Sequence, residues 1–136
     1  MAALTAARST PAALGDVREV PLPAAGKVYQ GGMVQITAAG YAASASATAA
    51  NVTIGRAEET VDNTAGANGE KRVKVRRGVF RFANSAAGDL IARTEIGKTV
   101  YVVDDQTVAK TSNTGARPAA GICFDVDAQG VWVEFA

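Results

Sequence analysis

The sequence predicts a mainly β protein, a small antiparallel β-barrel or β-sandwich with an extended N-terminal arm. Three observations carry this prediction. After Lys27, apolar and polar residues alternate in short runs broken by glycine, which is the period-two pattern of half-buried strands. The first 25 residues lack that pattern and are rich in Ala, Thr, Ser and Pro. No segment sustains the 3.6-residue apolar repeat of a helix. A chain of 136 residues suits one hydrophobic core. The expected division is therefore an extended or flexible arm over 1–25 and a β-rich domain over 26–136.

In the arm, Pro21 and Pro23 of PLPAAG prevent helix and favour extended backbone. Leu14, Val17, Val20 and Leu22 are spaced apolar anchors with which such an arm can dock on a partner. KVYQGGMVQIT and NVTIGRAEETV read as strands. Between them YAASASATAA alternates small residues with Ser and Thr, a composition shared by a closely packed strand and a flexible linker. DNTAGANGE, with Asn63, Gly66, Asn68 and Gly69, is a loop or hairpin tip by its turn chemistry. In EKRVKVRRGVFRFA, Val73 and Val75 have one parity, and Phe80 and Phe82 the other. A β-bulge or a bend between strands is therefore expected across Arg77 and Gly78. ANSAAGDLIART has room for one short helical turn. IGKTVYVV, QTVAKT, PAAGICFDV and VWVEF are four further strands, separated by turns at DD, SNTG and DAQG.

Composition narrows the function. Hydrophobic residues are 48% of the chain, but alanine inflates the figure and aromatics are only 6%, so the core is expected to be slim. The net charge of +1 gives no strong field toward nucleic acid or anionic lipid, and neither is an expected partner. The N-terminus has no continuous apolar run of the secretory kind, and no stretch approaches the roughly 20 apolar residues of a membrane span. With no histidine and no recognisable nucleophile motif, no catalytic residue, cofactor or metal is expected, and the chain is read as a non-enzyme. Cys123, in the alternating run GICFDVD, reads as a buried small hydrophobe. DVDAQG has part of a calcium loop but lacks the remaining oxygen ligands and the closing Glu. It reads instead as a hairpin turn built on Asp127 and Gly130, and Asp104–Asp105 as a second tight turn.

The strongest local charge feature is the run Lys71, Arg72, Lys74, Arg76, Arg77 and Arg81. Alternation places Arg72, Lys74 and Arg76 on one exposed strand face, either as solvated charges that block edge aggregation or as contacts to an acidic partner. Phe80 and Phe82 adjoin the run, with Tyr101 and Trp132 on other strands, so a single-stranded nucleic-acid-binding barrel is an alternative use of that face.

The order of features in the C-terminal half adds a resemblance. Gly78, Val79 and Phe80 are followed by Gly97, Lys98, Val100, Tyr101 and Val102, by the Asp104–Asp105 turn, by Ala120–Gly121, and by Gly130, Val131 and Val133. This series, with KVYQGGMVQITAAGY before it, resembles the small capsid cement or head decoration proteins of tailed bacteriophages. The similarity covers most of the chain after Lys27. It implies a structural protein that binds the major capsid protein on the outer capsid surface and cements adjacent capsomers, often as a homotrimer or other homo-oligomer. It also implies synthesis in the host cytoplasm and residence in the virion. A tail or baseplate component is a further alternative.

Overall fold

The structure, a computed structural model, describes residues 2–136 and is mainly β. Its strands are β1 (Val17–Pro21), β2 (Gly26–Val28), β3 (Met33–Ile36), β4 (Ala42–Ser44), β5 (Val52–Ala57), β6 (Val61–Asn63), β7 (Arg72–Arg76), β8 (Gly78–Phe82), β9 (Thr99–Val102), β10 (Val108–Ala109), β11 (Ala119–Asp127) and β12 (Gly130–Phe135). The segment expected to hold one helical turn holds two short 3₁₀ turns, Ala87–Asp89 and Arg93–Glu95. The strands divide among a five-stranded sheet ordered β1-β7-β5-β3-β4, a second five-stranded sheet ordered β10-β9-β11-β12-β8, and the pair β2-β6. Pairing within these sheets is antiparallel, and no closed barrel forms among the described residues. The outer strands of the second sheet are tied at one parallel bridge, Ala83 to Thr107, where Val108 N–H donates to the Ala83 carbonyl at 3.0 Å.

The first sheet revises the extent of the arm. β1 pairs with β7 from Val17↔Arg76 to Pro21↔Arg72, so the extended segment joins the sheet at Val17, well before residue 25. Val20 and Leu22, read from sequence as anchors for a partner, are 7% and 0% exposed and lie in this chain's own core with Val28, Val34, Val61, Val73 and Val75. The cause is distant in sequence. The loop around Asn63–Lys71 clasps PLPAAG: Ala24 N–H donates to Asn68 Oδ1 at 2.7 Å, Asn63 Nδ2 donates to the Pro23 carbonyl at 2.8 Å, and Leu22 exchanges bonds with Lys71 and Gly69. Each proline sits where its missing N–H is not needed for the pairing.

A similar clasp holds the Ser-Ala stretch. Only Ala42–Ser44 is strand, and the rest is a loop pinned by Gln35, which is fully buried. Its Oε1 accepts from Ser46 N–H and Asn51 Nδ2, while its Nε2 donates to the Ser46 carbonyl and Thr53 Oγ1. A buried amide with all its partners fixes a segment that composition alone leaves open to a linker.

The expected bend across Arg77 and Gly78 is where the chain leaves one sheet for the other. β7 ends in the first sheet with Val73 and Val75 in its core, and β8 begins in the second with Phe82 buried against Phe135 in a T-shaped contact at 5.9 Å. Gly78 has φ of 147°, a conformation that side-chain-bearing residues rarely adopt, and so permits the crossing. The second core contains Ile91, Val100, Val102, Val108, Cys123, Val131 and Val133, with Met33 reaching in from the first sheet and Ala45 from the loop that follows β4. Burial raises the Cys123 thiol's pKa, and the nearby Asp125 and Glu95 charges add to this.

Candidate docking surface

Residues 2–16 are exposed throughout, with Leu4 at 72% and Leu14 at 93%. They meet the body where Arg77 N–H donates to the Asp16 carbonyl at 3.0 Å. Of the four anchors read from sequence, Leu14 and Val17 are on the surface, Val17 at 42% exposure, and the other two are the buried pair described above. Met1 lies outside the described residues.

The alternation in β7 places Arg72, Lys74 and Arg76 on one exposed face, and β1 sets Pro21, Glu19 and Val17 directly opposite them. The face is less uniformly basic than the sequence alone indicates. Glu58 lies under it and takes Arg56 at 2.7 Å and Arg76 at 3.3 Å. The Arg56 hydrogen bond is the main cause that holds the Glu58 carboxyl below its usual range, with Arg76 adding to it. Arg72 and Lys74 remain as the exposed cations on this strand, and Glu19 stands across from Lys74. The Arg56 guanidinium covers the Phe80 ring at 4.0 Å, and Phe82 is buried, so neither aromatic beside the basic run is open for a base to stack on. Nothing local in the sequence pairs Arg56 and Glu58 with Arg76, because the contact depends on which strands become neighbours.

A second exposed surface, apolar in character, has its signal in the alternation of β11. If Cys123 faces inward, alternation sends Ile122 and Phe124 outward. They are 37% and 57% exposed on β11, the central strand of the second sheet. The register of β11 on β12 slips between Cys123 and Asp125, leaving Phe124 as the bulged residue and turning its ring to solvent.

The two acidic turns are built as turns. Asp127 Oδ1 accepts from Gln129 and Gly130 N–H at 2.8 and 3.0 Å, and its Oδ2 accepts from the Trp132 indole at 2.9 Å. Asp104 Oδ1 accepts from Gln106 N–H at 3.0 Å, and the Asp105 carbonyl accepts from Met33 N–H at 2.8 Å, which ties this turn to the start of β3. Among the described residues, no three His, Cys, Asp or Glu side chains converge as a metal cluster, and no helix is long and apolar enough to cross a membrane. No family model, curated protein or solved structure matches this chain.

Proposed function

We propose that this protein is a capsid cement subunit that binds the major capsid protein on the outer surface of a tailed-phage head, acting by binding and not by catalysis. The observation that carries this reading is the N-terminal segment, which holds Leu4 and Leu14 in solvent while attached to a clasped β body. Exposed leucines give an isolated chain no stability. Each would contribute about 1.5–3 kcal/mol when buried on a partner, against which the cost of ordering the segment must be set. On a lattice the same modest contact recurs many times, so a homo-oligomer that engages several capsomers gains avidity without a strong single bond. The resemblance in the C-terminal half supplies the partner. The architecture we infer for this role is a sandwich-like packing of the two sheets, for which Met33 and Ala45 provide the shared core. Arg72 and Lys74 add a salt-dependent share to docking.

Co-sedimentation with purified, DNA-free capsids that lack the subunit tests this. The full chain should pellet with the capsids at saturable stoichiometry, and the chain lacking residues 2–16 should bind at least about tenfold more weakly, a difference of about 1.4 kcal/mol. Equal binding by the two chains removes the segment from the mechanism. Failure of the full chain to bind refutes the proposal.

A further inference from the structure

We propose that Asn68, in the loop joining β6 to β7, is a site of spontaneous covalent modification, converting to isoaspartate and aspartate at a pace set by the clasp around PLPAAG. Of the five asparagines in the chain, Asn68 alone precedes a glycine, and both residues of the pair are exposed. The reaction is an intramolecular acyl transfer. The deprotonated backbone nitrogen of Gly69 bonds to Cγ of Asn68, and the Cγ–Nδ2 bond breaks. The side-chain nitrogen leaves as ammonia, taking up through solvent the proton that Gly69 gave up, and a cyclic succinimide remains. Water then opens the ring at either carbonyl, giving aspartate or isoaspartate, whose main chain runs through Cβ and Cγ. A side chain on residue 69 would shield the attacking nitrogen, and glycine leaves it bare. Glycine is favoured here by a φ of 75°, and a Cβ at this position would meet only Pro21 Cβ at 3.9 Å.

Both reacting groups are engaged in the fold. Asn68 Oδ1 accepts from Ala24 N–H at 2.7 Å, which fixes the amide, and Gly69 N–H donates to the Leu22 carbonyl at 2.8 Å. The second bond is the gate. An imide nitrogen carries no hydrogen, so the succinimide cannot form while Gly69 keeps its bond to Leu22, a residue fully buried in the first core. Opening this corner of the clasp gives up two hydrogen bonds, which slows the reaction about tenfold relative to the unfolded chain. Conversion acts back on the fold. Isoaspartate lengthens the main chain between residues 68 and 69, so the bonds to Ala24 and Leu22 no longer fit one geometry, and a new carboxylate joins Asp62 and Glu70 in the same loop. Only the Asn63–Pro23 and Leu22–Lys71 bonds of the clasp then remain to hold the root of the N-terminal segment.

Peptide mapping by mass spectrometry, with isoaspartate detected by enzymatic methylation, tests this on the full chain incubated at mildly alkaline pH, folded in buffer and in parallel unfolded in guanidinium chloride. Asn68 should convert in both, ahead of the other four asparagines, and about tenfold more slowly in the folded chain. Higher pH should speed both reactions, because the attacking nitrogen must first lose its proton. The converted chain separates by ion exchange, since the new carboxylate cancels the net charge of +1, and it should unfold at a lower denaturant midpoint than the unconverted chain. Equal rates in the folded and unfolded chains, an Asn68 amide that outlasts the other asparagines in the folded chain, or an unchanged midpoint after conversion overturns the proposal. The isolated chain suffices for all of these measurements, so their outcome is independent of binding to capsids.

Discussion

Leu14 and Leu22 lie in one stretch of uniform composition, yet the first is almost wholly exposed and the second fully buried. The difference predicts opposite responses to the same substitution. Leu22→Ala should cost about 2–5 kcal/mol by opening a cavity in the first core. Leu14→Ala, with nothing around it to collapse, should stay within about 0.5 kcal/mol. Chemical denaturation midpoints of the two variants measure this, and similar losses at both sites would contradict the placement of the chain from Val17 onward. Sequence reading grouped the two because its evidence is local. Leu22 packs in the first core because Asn63, Asn68 and Lys71 hold PLPAAG in place, through bonds that span about 40 residues or more and leave no trace in the Pro-rich segment itself. Cys123 was legible for the opposite reason. Its inward direction follows from the alternation of its own strand, and the same parity sends Ile122 and Phe124 outward.

At the scale of elements, the β11–β12 hairpin is the part that the sequence specifies most completely. Asp127 and Gly130 close it as turn chemistry requires, and the addition is the bond from the Trp132 indole across the same hairpin, which turn chemistry alone does not reveal. That bond is the main cause of an Asp127 carboxyl held below its ordinary range, followed by the Gln129 amide, with the Gly130 amide and Arg81 adding to it. A carboxyl depressed in the folded state contributes stability above its unfolded pKa and loses that contribution as pH falls through the folded value. Trp132 fluorescence should therefore be constant at neutral pH and change below about pH 4, where an ordinary aspartate titrates. Asp127→Asn should abolish this acid step while leaving the neutral fold intact. An unchanged acid step in the variant would assign it to another carboxylate. The crossing at Gly78 was legible as a change of parity, but its outcome was not. A bulge within one strand and a passage between two sheets leave the same alternation in the sequence, and only the pairing partners of β7 and β8 distinguish them.

For the whole molecule, local patterning foretold a mainly antiparallel β body, and the division into two five-stranded sheets and a pair emerged only from long-range pairing. The candidate surface was legible to a similar degree. Arg72, Lys74 and Arg76 fall on one face as alternation requires, but Glu58, one residue past the end of β5, pairs with Arg76, so under the proposed role apolar contact from the N-terminal segment is expected to outweigh charge in docking. A cement subunit must be present in the particle in proportion to the capsid lattice, whereas a nucleic-acid-binding protein or an enzyme of the infected cell has no such requirement. Quantitative mass spectrometry of purified tailed-phage particles, from a phage whose genome carries this sequence, is the most direct test of the proposed role. A cement subunit should be found at a fixed, near-stoichiometric ratio to the major capsid protein, and absence from the particles, or presence only in trace amounts, would rule out the proposed role.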